Sequence, residues 1–152
     1  MPEGRTVLLV DDEPVLLETT RAALESAGYT VHAMNDPTAA AAWLMARKPD
    51  ILVTDVVMEG LSGIEVATLC SHRFPDVPVL LVSAFIPEDF LTESSWHRLH
   101  KPVRVARLVA TVGRLRRRAE RAESGDQEIT RVSYLFPSLD DLSADVLGFT
   151  GL

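Results

Sequence analysis

Cysteine is almost missing from this chain. Cys70 is the one thiol in 152 residues, so no intramolecular disulfide can form, and a reducing cytoplasm fits. Its apolar surroundings make it a small core residue rather than a redox group. Basic charge is in deficit: Lys and Arg number 15 against 22 Asp and Glu, a formal net charge of -7. That balance weighs against a nucleic-acid-binding surface, which carries a basic excess. Long apolar runs are missing too. The stretch from Thr6 to Val10 is too short for a signal peptide or a membrane span, so neither secretion nor a membrane partner is expected. No glycine-rich loop follows the first apolar run, which argues against dinucleotide binding. His32, His72, His97 and His100 share no metal-ligand spacing. There are no internal repeats.

What is present is ordinary for one compact globular domain: 47% hydrophobic and 24% charged residues. Val7 to Val10 is a continuous apolar run of the kind that fills a strand buried on both faces. Pro14 suits a first helical turn, and Leu16, Leu17, Thr20, Ala23, Leu24 and Ala27 follow at helical spacing up to Gly28, a natural stop. The alternation then repeats. Tyr29 to Ala33 reads as a strand, Asp36-Pro37 as a helix start, and Thr38 to Arg47 as a helix. Ile51 to Thr54 is a strand, Ile64 to Arg73 a helix, and Val79 to Val82 a further strand. Beyond these, Pro87 to Trp96 reads as a short helix, Leu99-His100 as a brief strand, and Val103 to Glu123 as a long helix. Strands alternating with helices predict an α/β fold, an open parallel sheet with helices on both faces.

The polar residues gather at the ends of the apolar strands. The first runs into Asp11-Asp12, the third into Asp55, the fourth into Ser83, and the last into Lys101. In an open parallel sheet these carboxyl ends converge near the topological switch point. Acids so close need a counter-charge, and oxygen-only ligands favour a hard cation such as Mg²⁺. Lys101 adds an ammonium suited to a phosphate oxygen, and Ser83 a hydroxyl. Asp55, central in the set, is the candidate nucleophile for a phosphoryl group.

Taken in order, Val7-Leu8-Leu9-Val10-Asp11-Asp12-Glu13, Pro49 to Asp55, Met58, Gly63, Val82-Ser83-Ala84 and Lys101-Pro102 resemble the receiver domain of bacterial two-component response regulators. The resemblance covers about Arg5 to Glu123. It implies a (βα)₅ flavodoxin-like doubly wound fold with strand order 2-1-3-4-5, as in the chemotaxis response regulator. It implies phosphoryl transfer from a sensor histidine kinase or phosphotransfer protein to Asp55. It also implies Mg²⁺ held by Asp12, Asp55 and the backbone carbonyl of Val57, with Asp11 nearby. Ser83 becomes the switch hydroxyl and Lys101 the phosphate-sensing lysine. Residues 1–123 are then the receiver and residues 124–152 an acidic and hydrophobic tail rather than a domain. Function is expected to be that of a stand-alone, non-enzymatic switch acting on a downstream protein target. A phosphate-independent interaction module is the competing reading.

Several positions depart from the family pattern. Glu59 replaces a proline. Val57 and Phe85 are apolar where the family tunes loss of phosphate, which predicts slow autodephosphorylation. The stretch from Ser83 to Lys101 is about one turn short, which predicts a shortened fourth helix. Arg98 stands where the family places its switch aromatic, with Trp96 as a nearby substitute. In place of an aspartyl-phosphate phosphatase's second acid, two residues after the nucleophile, stands Val57. Arg114, Arg116, Arg117, Arg118 and Arg121 read as a solvated face. Val105, Leu108, Val112, Leu115, Ala119 and Ala122 form a stripe read first as core-facing, its later part or the tail as a route to a homodimer.

Overall fold

A computed structural model describes residues 5–58, 60, 62–84 and 96–123. Nine elements follow in order: β1 (Thr6–Val10), α1 (Pro14–Ser26), β2 (Thr30–Met34), α2 (Pro37–Ala46), β3 (Ile51–Thr54), α3 (Gly63–Arg73), β4 (Val79–Ser83), β5 (Trp96–His100) and α4 (Val105–Glu123). The five strands form one sheet in the order β2-β1-β3-β4-β5, and every pairing is parallel. This is the doubly wound arrangement expected. The short helix expected over Pro87 to Trp96 falls mostly outside the described residues, as do Glu59, Phe85 and the tail at 124–152. Its last residue, Trp96, opens β5 instead.

The chain divides into two units, residues 1–116 and 117–152, and the sheet belongs to the first. Strand side chains alternate between two cores because successive residues point to opposite faces. Leu8, Val10, Leu52, Val79 and Leu81 face Ala40 and Leu44 of α2 and Val66, Ala67 and Cys70 of α3. Val7, Leu9, Ile51, Val53, Leu80, Val82 and Leu99 face Leu24 of α1 and Leu108, Val112 and Leu115 of α4. The first part of the α4 stripe is therefore core-facing, as expected. One reading needs correction: Arg116 is buried, so the arginine run is not wholly a solvated face. It directly follows the buried Leu115, and its guanidinium Nε is buried with it.

Local chemistry sets the element ends. Gly28, at φ 101°, takes the left-handed position after α1, and Tyr29 N–H donates back to the Leu24 carbonyl at 3.1 Å. Asp36 caps α2 by accepting from Thr38 N–H at 3.0 Å. Ser62 and Glu65 form a reciprocal capping box at the start of α3. Arg73, at the end of α3, donates to the carbonyls of Leu44 and Met45 and ties the end of α2 to α3.

Candidate functional site

The sheet order carries the acids together. β1 lies between β2 and β3, and its register pairs Val10 with Thr54, so Asp11 and Asp55 leave adjacent strands side by side. Backbone bonds fix both departures: Asp11 N–H donates to the Met34 carbonyl at 3.1 Å and Asp55 N–H to the Val10 carbonyl at 2.9 Å. Lys101 follows β5, and its N–H donates to the Ser83 carbonyl at 3.0 Å. The sheet thus delivers residues from opposite ends of the sequence to one edge.

At that edge the Lys101 ammonium bridges the two carboxylates. Its Nζ lies 3.0 Å from Asp55 Oδ2 and 3.2 Å from Asp11 Oδ2. The other oxygen of each acid is bound by backbone: Asp11 Oδ1 accepts from Glu13 N–H at 2.9 Å, and Asp55 Oδ1 accepts from Val56 N–H at 2.6 Å. Val57 N–H also points at Asp55 Oδ1, at 3.4 Å. Asp12 is exposed, yet one of its carboxylate oxygens lies with one from Asp11 and one from Asp55 within 4.8 Å of one another.

Of the other expected site residues, Ser83 is buried at the end of β4, two residues beyond the partner of Thr54. Val57 follows Asp55 by two and is 62% exposed. Trp96 opens β5 at the far end from Lys101, and its indole N–H donates to Ser71 Oγ on α3 at 2.9 Å. Arg98, on the same strand, is exposed.

Burial is the largest influence on Asp11 and holds its carboxyl above the ordinary carboxylate range. The Asp55 charge adds to the effect, while the Glu13 amide and Lys101 oppose it. For Lys101, burial alone would favour the neutral amine. The hydrogen bond to Asp55 and the charges of Asp11 and Asp55 outweigh it, so the ammonium titrates above its usual value. Lys101 is therefore a fixed positive charge at any physiological pH.

Sequence reasoning gave Thr54 no role, yet its hydroxyl donates to the Asp55 carbonyl at 2.8 Å, wholly within the core. A hydroxyl among otherwise aliphatic strand residues was the available signal. Asp50 is a second such residue: its carboxylate accepts from Thr6 N–H at 2.8 Å and its own N–H donates to the Thr6 carbonyl at 2.8 Å. It pins the opening rung of β1, at the end of the sheet away from the acids.

Comparison with known proteins agrees with this geometry. Residues 7–113 match the family model of the response regulator receiver domain. Over 111 residues the chain is 32% identical to the phosphoglycerate transport system transcriptional regulatory protein PgtA of Salmonella typhimurium, an overlap of 70% of this chain and 27% of that protein. The chain spans between 27% and 62% of the length of the curated relatives it matches. A response regulator receiver protein from Sinorhizobium medicae superposes with a TM-score of 0.70 at 27% identity, covering 77% of this chain and 98% of that one. The response regulator protein TrrA of Thermotoga maritima, solved in complex with Mg²⁺-BeF, shares the fold with a TM-score of 0.64 at 24% identity, covering 73% of this chain and 98% of its own. A parallel sheet in this order, acids at the ends of its central strands, and a family model spanning 107 residues from Val7 to Gly113 lead to one conclusion: this chain belongs to the response regulator receiver domain family.

Proposed function

We propose that the chain is a phosphorylation switch in which Asp55 accepts a phosphoryl group from a phosphohistidine of a sensor kinase or phosphotransfer protein. The single observation that carries this is the Lys101 ammonium held between Asp55 and Asp11, with Asp12 beside them. In the transfer, the donor's P–N bond breaks as an Asp55 carboxylate oxygen bonds to phosphorus. Histidine leaves with the electron pair and takes up a proton. Such reactions depend mainly on positioning and charge neutralisation, which is what these residues provide.

The site also fits a divalent cation. Three carboxylate oxygens within 4.8 Å, with no soft or nitrogen donor among them, form an oxygen-only set of the kind Mg²⁺ prefers. Asp11, Asp12 and Asp55 would hold the ion, with the Val57 carbonyl as a further ligand. When bound, it supplies positive charge to the incoming phosphoryl oxygens. Lys101 supplies charge from the end of β5, and the amides of Val56 and Val57 orient the nucleophile. Ser83 is the hydroxyl that follows the new phosphate and biases a two-state equilibrium.

Output then runs through protein contacts in the cytoplasm. Among the described residues no helix is long and apolar enough to cross a membrane. The test is incubation with acetyl phosphate and Mg²⁺, followed by intact-mass measurement. One added phosphate on the wild type, and none on Asp55→Asn, is the expected result. An unmodified wild type beside a reactive control receiver would favour a phosphate-independent interaction module instead.

A further inference from the structure

Gly63 begins α3, eight residues past Asp55, and its place in the helix does not call for glycine on conformational grounds. Space does. A Cβ built on Gly63 would stand 1.6 Å from the Asp55 carbonyl oxygen, 2.7 Å from the Asp55 carbonyl carbon and 2.9 Å from Val56 Cα. All three are backbone atoms, so no side chain can turn aside to make room. The same Asp55 carbonyl oxygen accepts from the Thr54 hydroxyl at 2.8 Å, and Gly63 N–H donates to the next carbonyl, Val56, at 2.8 Å. Ser62 and Glu65 cap this end of α3 reciprocally.

We propose that Gly63 is a positioning residue for the phosphoacceptor. By bringing the first turn of α3 onto the backbone of Asp55 and Val56, it sets the course of the segment after β3. That course aims the Val56 and Val57 amides at Asp55 Oδ1, at 2.6 and 3.4 Å. A methyl group at position 63 must push α3 and this segment apart. The displacement falls on the amides that orient the nucleophile and on the Val57 carbonyl, a proposed cation ligand. The inference rests on the phosphoacceptor reading above.

The experiment compares wild type, Gly63→Ala and Glu65→Ala. Glu65 is exposed, and its loss weakens the start of α3 without adding an atom beside Asp55. Each protein is melted, its Mg²⁺ affinity measured by calorimetry, and its phosphorylation rate followed with acetyl phosphate. Expected is a loss of at least about tenfold in rate and Mg²⁺ affinity for folded Gly63→Ala, since sub-ångström to ångström displacements at a reacting group cost that much or more. Glu65→Ala should stay within about twofold of wild type. A folded Gly63→Ala that matches wild type, or loses no more than Glu65→Ala, overturns the proposal. Should Gly63→Ala not fold, hydrogen exchange on the wild type decides. On adding Mg²⁺ and beryllium fluoride, the Gly63 amide should slow in step with those of Val56 and Val57. A Gly63 amide that stays unchanged while the other two slow would overturn it. A wild type that takes up neither phosphate nor beryllium fluoride overturns the phosphoacceptor reading itself, and this proposal with it.

Discussion

Lys101 and Asp55 lie 46 positions apart in sequence, and the lysine ammonium donates to the Asp55 carboxylate across 3.0 Å in a largely buried setting. The same ammonium neutralises Asp11, so one cation serves two acids. Lys101→Ala leaves those acids facing each other. Stability in EDTA should fall by about 2 kcal/mol, less than for a fully buried pair because part of the site meets solvent. Mg²⁺ should restore more stability to the variant than it adds to wild type. Urea denaturation with and without Mg²⁺ checks both; equal Mg²⁺ gains in the two proteins would refute this account of Lys101.

Asp11 should give the metal-free protein a pH dependence whose sign follows from its burial. Its carboxyl holds a proton more tightly in the fold than in the unfolded chain, chiefly because it is buried. The stabilising contribution is complete below the unfolded value of 3.8 and is lost as pH rises through the higher native value. In EDTA, Asp11→Asn should therefore gain on wild type as pH rises from about 3.5 toward neutrality. Denaturation curves across that range test it, and a gap that shrinks with rising pH would reverse the assigned sign.

Burial pushes the Cys70 thiol up to about 12, with the Asp76 charge adding to the effect. The side chain is fully covered between α3 and the sheet. At pH 8 the native thiolate fraction is on the order of 10⁻⁴. Maleimide or disulfide reagents should label the native protein only at the rate of its opening, and label it rapidly in urea. Fast native labelling would mean that α3 does not cover this residue. Thiol burial also adds stability that is full below pH 9.0 and lost as pH rises toward 12.

Val57 is exposed two residues past Asp55, and its aliphatic side chain has no polar atom with which to orient a water molecule. Phosphorylated protein should lose its phosphate slowly, and Val57→Asn should speed the loss about tenfold by supplying a polar group there. Time-resolved intact-mass measurement after removal of donor settles the matter; a wild-type half-life of seconds would count against it.

The indole of Trp96 is tied to Ser71 at the end of β5 far from Lys101. Its fluorescence, read in a Trp43→Phe background, should barely change with beryllium fluoride and Mg²⁺. Trp96→Phe should lower stability by about 1 kcal/mol, the worth of the lost hydrogen bond. A large emission shift on activation would show that Trp96 moves with the switch after all.

The central strands could be read from sequence because burial on both faces leaves an unbroken aliphatic run. Ile51 to Thr54 and Val79 to Ser83 carry that signature, and the acids and hydroxyl at their ends stood out against it. β5 could not be read so well. Within Trp-His-Arg-Leu-His only Leu99 is buried, so an edge strand of five residues looked like a two-residue remnant. Its extent comes from pairing with β4 from Val79 to Ser83, a tertiary fact. Arg116 could not be read correctly either, because a charged residue type points to solvent while its place beside Leu115 on α4 leaves it buried. In the site, Asp11, Asp12, Asp55, Ser83 and Lys101 were legible as chemistry. Thr54 and Gly63 were not given roles, since what matters at each is a backbone contact that spacing does not reveal.

The hydrogen bond from Lys101 N–H to the Ser83 carbonyl joins the main chain beneath a hydroxyl to the main chain beneath an ammonium. Any coupling carried by this bond would depend on backbone atoms alone. Alanine scanning would register little of that linkage. Replacing the Ser83–Ala84 amide by an ester, which leaves every side chain intact but weakens the Ser83 carbonyl as an acceptor, is the perturbation that would expose it.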